Sequence, residues 1–587
     1  MSKSDNEGKI VISEKYVDAL IRSLAAHPYL WAFAVCMFIN PFYLGAEENV
    51  PSNALYIETL LVLAAGYFVI YRLYRNSVYS KNICGILAVA FTAADFVLLK
   101  IYANQPTKGI YMLLGGCAII FLLYYFSRTK NFSMQLNSLL ILALSFMVKF
   151  YYVYYTSVYT RQNDVHKFGG EDGHAAYIEY ILYNHKLPDF DVREVWQFCH
   201  PPLHHIICAV WIEINENILG VGYNPARESL QTLTLFYSMA IMITAYKIFR
   251  HFKLEGFALY VPMIIVAFHP AFILMSGAIN NDVLSVVFMM GAILCTLKWY
   301  ENQTFKGILK IALCIGLGMM TKLTAALVAP PIAVVFLIVF VRKFKTDGKK
   351  LFAQFASFAV VCVPLGLWFE IKNYIKYKVP ITYVQEMSEN VTQYIGDQSF
   401  FSRITDFSSS QFDSVFEQWL SYSDSGEAIS YNEYNPLVTL LKNSLFGEAI
   451  DESNFLGDSY MLAICRIFFW LAAVLALICF AMMIVTMFRK SCGMDAAQKT
   501  LFGGFYLVMM VNFYKMAHDY PFTCTMNFRY ITPTVIVTTL FLGISIRDMS
   551  SKNKVGNVAS LALSAAALIF AAISVMVYIV VCYPNLQ

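Results

Sequence analysis

The chain has 587 residues, of which 58% are hydrophobic and only 14% are charged. A soluble fold of that length could not hide so much apolar surface, so lipid must be the solvent for much of it. A formal net charge of +4 is too small to argue for nucleic acid, and the informative property is where the basic residues fall. The thirteen cysteines have no close CxxC pair and lie mostly in apolar runs, where they read as small buried hydrophobes. Cys199 and Cys524 stand in polar loops, and the sequence leaves their pairing open.

The opening residues, MSKSDNEGKIVISEKYVDALIRSLAAH, are too polar for a cleaved signal peptide and read as a cytosolic tail. Apolar runs long enough to cross a bilayer follow at Tyr29–Leu44, Leu55–Tyr74, Ile83–Ile101 and Ile110–Phe126, with Asp95 inside the third. The linker GAEENVPSN is acidic, while YRNSVYSKN and SRTKNFSMQ are basic. The positive-inside rule therefore puts the N-terminus in the cytoplasm.

A fifth run, Leu136–Val158, delivers the polar stretch QNDVHKFGGEDGHAAYIEYILYNHKLPDFDVREVWQFCHPPL to the outer side. It holds Asp164, His166, Glu171, Asp172, His174 and His200. A membrane protein rarely carries that density of carboxylates and imidazoles without solvent or chemistry to explain it. LHHIICAVWIEI, with His204 and His205, is short for a span and reads as an interfacial helix. Treating it so keeps the basic loops YKIFRHFK, KWYENQTFK and VRKFKTDGKK all inside; treating it as a span would put all three outside. Full-length runs are predicted at Leu230–Phe249, Phe257–Ser276, Val283–Tyr300, Ile308–Met320, Leu323–Val341 and Phe352–Ile371.

From Asn373 to Asp458 apolar periodicity stops, and so long an interval reads as a small outer cap with short helices of its own. It contains the sequon Asn390-Val391-Thr392, which carries meaning only in a glycosylating compartment. The last spans are predicted at Tyr460–Phe488, Leu501–Lys515, Ile531–Ile546 and Val558–Val581, giving an all-α polytopic protein of about 15 spans. The predicted divisions are 1–134 (tail and four N-terminal helices), 135–372 (a core carrying the outer loop 159–228), 373–458 (the cap) and 459–587 (C-terminal helices completing the core).

Several short motifs now fall in order on one predicted side. An acidic loop is followed by HPPL (His200–Leu203), by Asn281-Asp282 opening a span, by Met320-Thr321-Lys322 where two runs meet, and by Arg529-Tyr530 in a late loop. Together they resemble the GT-C superfamily of integral-membrane glycosyltransferases, in its protein O-mannosyltransferase and aminoarabinose-transferase branch. The resemblance covers roughly Leu136 to Arg547 and leaves the four leading spans and the cap unexplained. It implies a polyprenyl-phosphate-linked sugar as donor and transfer on the outer face of a cytoplasmic membrane, bacterial in this reading. The acceptor would be a protein, a polysaccharide or a glycolipid. Many members carry Asp-Glu in the first loop; here Asp164 is followed by Val165, with Glu171-Asp172 further on, so two carboxylates compete for one role.

Sugar transfer from a lipid phosphate needs a base for the acceptor and charge stabilisation for the departing phosphate. Asp164 is the first candidate base and Asp172 the rival, although an acidic residue after Gly-Gly also suits the first turn of the helix HAAYIEYIL. Asp164, His166 and Asp282 could hold a divalent ion (Mg, Mn, Ca or Zn), or His166 could orient the base. Arg529 is the candidate phosphate ligand, because its fork of donors matches a phosphate. Lys322 is costly between apolar runs unless a phosphate or a carboxylate partners it. His269 ranks behind them. His200, Asn281, Asp282 and Tyr530 are candidate substrate contacts; Asn280, His174 and Asn373 stand in reserve, with Trp196, Tyr177 and Tyr520 as stacking rings or interface anchors. Two other classes remain open: a polymerase or ligase moving lipid-linked glycans, and a transporter or lipid flippase. A transporter should instead place ionisable residues near the midplane on broken helices.

Overall fold

The computed structural model describes residues 134–582 apart from 388–391, 420, 423–427, 431, 456–457 and 551–553, together with 23–24, 26–44, 80–102 and scattered positions between 63 and 74. The predicted run Ile110–Phe126, most of Leu55–Tyr74, the side chain of Asp95 and the first two residues of the sequon lie outside these described residues.

The chain forms two compact units, residues 1–148 and 149–587. The first contains α1 (Pro28–Leu44), α2 (Lys81–Tyr102) and most of α3 (Met134–Tyr154). Their bounds follow the apolar runs of the sequence within a few residues.

The second unit begins in the last two turns of α3 and is helical nearly throughout. Its first loop carries α4 (Gly173–Asn184) and the short α5 (Leu203–Glu213). At 11 residues, α5 spans about 17 Å, too short to cross a bilayer. The loop is fastened internally by the buried Arg227 guanidinium, which pairs with Glu179 at 2.8 Å and also with Glu216. Its guanidinium carbon lies 3.4 Å from the centre of the Tyr223 ring. A buried charge left unpaired would cost several kcal/mol, so this cluster holds α4 against the residues leading into the next span.

Next come α6 (Leu230–His251), α7 (Phe257–Phe268), α8 (Pro270–Leu274), α9 (Asp282–Glu301), α10 (Phe305–Thr321) and α11 (Ala329–Tyr377). The single span predicted over Phe257–Ser276 is corrected here. His269 is extended, at φ −66° and ψ 126°, and its ring nitrogen accepts from Ala271 N while Pro270 occupies the first turn of α8. A proline there suits a helix start but breaks a helix interior, so the run splits.

α11 numbers 49 residues and would reach about 74 Å if straight. It is not straight. Phe336 and Phe355 stack with centroids 5.3 Å apart, whereas a straight helix would put nineteen residues about 28 Å apart. The chain therefore doubles back at the basic stretch 342–350, and the arms reproduce the two predicted runs Leu323–Val341 and Phe352–Ile371.

The interval 373–458 holds a helix at Phe400–Thr405, a small antiparallel pair (Ser421–Tyr422 with Ala428–Ser430) and α12 (Pro436–Phe446). This strand pair is a minor departure from the all-α expectation. α12 starts where Asn435 Oδ1 accepts from Leu437 N and Val438 N, with Pro436 at the first position. The remaining helices are α13 (Ser459–Phe488), α14 (Ala496–Asp519), α15 (Pro533–Ser550) and α16 (Lys554–Val581). A capping box between Asp495 and Gln498 opens α14. Among the described residues, six helices are long and apolar enough to cross a membrane, or seven if the bent pair Thr523–Ile531 and Pro533–Ser550 is one span.

Candidate active site

One end of the helices in the second unit gathers the charged residues. Asp282 opens α9, Lys322 follows the end of α10, and Arg529 precedes α15. Asp164 lies in the loop after α3. The helix ends alternate along the chain, which is how residues so far apart in sequence reach one place.

Asp164 Oδ2 accepts from Arg529 Nη2 at 2.7 Å. Arg529 Nη2 also donates to the Tyr530 hydroxyl at 2.9 Å, and its Nε lies 3.7 Å from Asp282 Oδ2. The other Asp282 oxygen pairs with Lys322 Nζ. The Tyr530 ring sits beside both cations, 4.9 Å from the guanidinium carbon and 5.2 Å from the ammonium. The result is a chain of alternating charges, Asp164, Arg529, Asp282 and Lys322, around one phenol. Lys322 thus has the carboxylate partner that was one of its two sequence readings. Asn281 Nδ2 donates to Thr321 O at 2.9 Å and ties the start of α9 to the end of α10.

The loop holds Asp164 in place by backbone geometry. Asp164 and His166 both have positive φ, 60° and 57°, an uncommon conformation for such residues. The Asp164 and Val165 carbonyls accept from His174 N and Ala175 N, each at 3.0 Å, so the loop satisfies the free amides at the start of α4. Gly173 makes this possible: at φ +82°, a Cβ there would lie 2.6 Å from Val165 O. Burial raises the Asp164 pKa, but Arg529, with Lys322 and His200, outweighs it and holds the carboxyl below its ordinary value.

The rival base is elsewhere. Asp172 stands at the N-cap position of α4 without a capping hydrogen bond from its side chain. Its Oδ1 lies 2.6 Å from His166 Nδ1, both side chains being about half exposed (49% each). His166 therefore faces Asp172, and the proposed metal set of Asp164, His166 and Asp282 is divided: both carboxylates face cations. Among the described residues, no group of three or more His, Cys, Asp or Glu side chains is set to hold a metal.

His200, His174 and His205 form a stack, with centroids 5.3 and 5.2 Å apart. It continues through Tyr177, 4.1 Å from His205, to Phe198. Burial lowers the His200 pKa to about 4, with Lys322 adding to the shift, so the ring nearest the charged cluster is neutral at pH 7. Tyr177 is fully buried here rather than anchored at an interface. His204 is tied to Ile279 O at 2.6 Å. His269 caps α8 and stacks on Phe528 at 5.6 Å, next to Arg529 in sequence. Cys199 and Cys524 are both free thiols.

A cavity of about 240 Å³ opens beside Arg529 and Asp282, lined also by Asn163, Asn280, Trp419 and Glu448. Asn373 is not among its lining residues. Glu448, which the sequence reading missed, accepts from Asn163 Nδ2 at 2.5 Å and from Asn527 Nδ2. Asn527 Oδ1 in turn accepts from Arg529 N at 2.8 Å. Burial raises the Glu448 pKa despite Arg529 nearby, and the Asp164 carboxylate adds to the rise. No motif marks Glu448, which sits among many acidic residues in the interval 373–458.

The order of loop acid, HPPL, Asn-Asp and Arg-Tyr along these apolar helices is similar to that of the GT-C class of membrane glycosyltransferases. Within it, residues 200–368 match the family model described as dolichyl-phosphate-mannose-protein mannosyltransferase. This matched stretch runs from HPPL into the second arm of α11, with Asp164 and Arg529 outside it. The resemblance drawn from the motifs is thereby borne out. No curated protein matches the chain. Among solved structures, the chain is similar to ArnT from Cupriavidus metallidurans bound to undecaprenyl phosphate, at 11% identity and TM-score 0.44, covering 76% of each chain. It is also similar to the oligosaccharyltransferase of Archaeoglobus fulgidus in the apo form, at 12% identity and TM-score 0.41, covering 76% of this chain and 55% of that one.

Proposed function

We propose that this chain transfers one sugar from a polyprenyl-phosphate donor to a hydroxyl of a protein, polysaccharide or glycolipid at the extracytoplasmic face of the membrane. The observation that carries the reading is the 2.7 Å contact between Arg529 and Asp164, with Lys322 and Asp282 alongside. The description of the matched family by a dolichyl-phosphate-linked mannose supports a lipid phosphate as the leaving group.

In this mechanism the donor phosphate draws Arg529 and Lys322 from their carboxylates. The freed Asp164 accepts the acceptor's proton as the acceptor oxygen bonds to C1 and the C1–O bond to phosphate breaks. Polyprenyl phosphate departs as an anion stabilised by the two cations, so no general acid is required. The outer placement is supported by charge. Lys298, Lys306, Lys310, the stretch 342–350, Arg489, Lys490 and Arg547 all lie at helix ends opposite the site, and basic loops stay inside.

The test is purified protein in nanodiscs given polyprenyl-phosphate sugars, with released lipid phosphate read by mass spectrometry. Release that requires both Asp164 and Arg529 is expected. Release that persists in Asp164→Asn would remove the assigned base.

A further inference from the structure

We infer that Glu448 is a positioning residue for the transfer step: its carboxylate ties the segment carrying Asp164 to the segment carrying Arg529 and keeps base and cation in register during turnover. This rests on the functional reading above and goes further, since it makes the interval between α11 and α13 part of what aligns the reaction.

The two segments come from distant parts of the chain, one after α3 and one before α15. Glu448 Oε2 accepts from Asn163 Nδ2 at 2.5 Å, and Oε1 accepts from Asn527 Nδ2. Asn527 Oδ1 accepts from Arg529 N at 2.8 Å. A run of three hydrogen bonds thus leads from the residue before Asp164 to the backbone of Arg529. A carboxylate suits the centre of that run, because both its oxygens accept and both neighbours offer N–H. Asn527 suits the next link, since its amide donates at one end and accepts at the other.

Glu448 is itself well placed to act as a brace. α12 stops at Gly447, where φ is +64°, and this left-handed glycine turns the chain at no steric cost. α12 also grips the same segment directly: Asn443 Oδ1 accepts from Phe528 N at 2.9 Å. Asn443 Nδ2 in turn donates to Glu417 Oε2 at 2.6 Å. The two residues before Arg529 are therefore both held from α12 and its end.

The brace matters most when the direct contact is gone. Free of donor, the 2.7 Å bond between Arg529 and Asp164 joins the two segments by itself. In the proposed mechanism the donor phosphate draws Arg529 away, and that bond no longer holds them. The link through Glu448 involves neither the Asp164 carboxylate nor the Arg529 guanidinium, so it persists.

The experiment measures kcat and donor KM for lipid-phosphate release by full-length protein in nanodiscs, per folded molecule. Undecaprenyl phosphate carrying a hexose, a pentose or an amino sugar is screened with wild type, and the form turned over fastest is used. Glu448→Gln sets an amide against an amide, donor to donor, and breaks one bond of the run. It should lower kcat about 10- to 100-fold, the cost of a displacement of about 1 Å, with donor KM within about threefold. Adding Asn527→Asp supplies a carboxylate that receives from the new amide and still accepts from Arg529 N. The charge has then moved across the bond, and kcat should recover about tenfold over Glu448→Gln. Asn527→Asp alone opposes two carboxylates and should also lose kcat, so the pair is strongly non-additive.

Wild-type kcat in Glu448→Gln overturns the brace, as does a double variant no faster than Glu448→Gln. A loss confined to donor KM overturns it too, because Glu448 would then touch the donor. If Glu448→Gln does not fold, Asn163→Ala cuts only the other end of the run: a tenfold fall in kcat supports the brace and wild-type kcat overturns it. Wild-type protein that releases lipid phosphate from none of the three forms overturns the functional reading, and the brace with it.

Discussion

Arg529 and Asp164 lie 365 residues apart in sequence, yet a 2.7 Å hydrogen bond joins their side chains. The same guanidinium leans toward Asp282, which Lys322 neutralises. In the proposed mechanism, Asp164 stays inactive while it is paired with the cation that the donor phosphate needs, so donor binding and base release are coupled through Arg529.

Asp164→Asn is therefore expected to keep the fold and lose transfer by about 10²- to 10⁴-fold, the usual worth of a positioned base. Arg529 keeps an oxygen acceptor at that position, so thermal unfolding should shift little. Single-turnover release of lipid phosphate checks the rate and circular dichroism checks the fold. An asparagine variant that turns over at wild-type speed would move the base elsewhere.

The pH profile carries the same logic. Without donor, Arg529 holds the Asp164 carboxyl below its ordinary value. The acidic limb of kcat/KM reports the free enzyme and should fall below about pH 4, the reference for aspartate. The acidic limb of kcat reports the donor complex, where phosphate competes for Arg529, so it should lie at higher pH. Equal limbs would mean that Arg529 stays on Asp164 during turnover.

Asp164, Asp282, Lys322 and Arg529 were legible because ionisable residues at the ends of apolar runs are costly and so stand out. Their common end followed from counting spans against basic loops. The reversal within α11 was also legible, since the basic stretch 342–350 interrupts the apolar pattern. The break at His269 was signalled by Pro270 but outvoted by the continuous apolar run. The side-chain directions at Asp164 and His166 were not legible, because a two-residue spacing says nothing about φ: both are left-handed, and the imidazole turns to Asp172. Glu448 was invisible, because its importance comes from Asn163 and Asn527, both distant in sequence.

The buried pair of Lys322 and Asp282 makes a stability prediction. Their side chains are only 12% and 7% exposed. Removing one partner of a buried pair costs about 3–5 kcal/mol because the other charge is stranded. Lys322→Met should lower the unfolding temperature in detergent, and adding Asp282→Asn should restore part of it. A double variant no more stable than the single one would show that Arg529 already compensates Asp282.

Gly173→Ala tests whether the loop backbone holds the base. The substitution forces a Cβ to within 2.6 Å of Val165 O at φ +82°. Its first consequence is strain of about 1 kcal/mol or more. The second is displacement of the Asp164–Val165 carbonyls, which accept from the start of α4. A shift of about 1 Å at a catalytic group can cost about 100-fold in rate, so transfer should drop well beyond what lost stability explains. Gly220→Ala is the matched control: φ there is +67°, but nothing lies within 4 Å of the added Cβ. It should show comparable strain in thermal unfolding with transfer close to wild type. If both alanine variants lose transfer equally, backbone strain alone is responsible, and the placement of Asp164 by Gly173 is refuted.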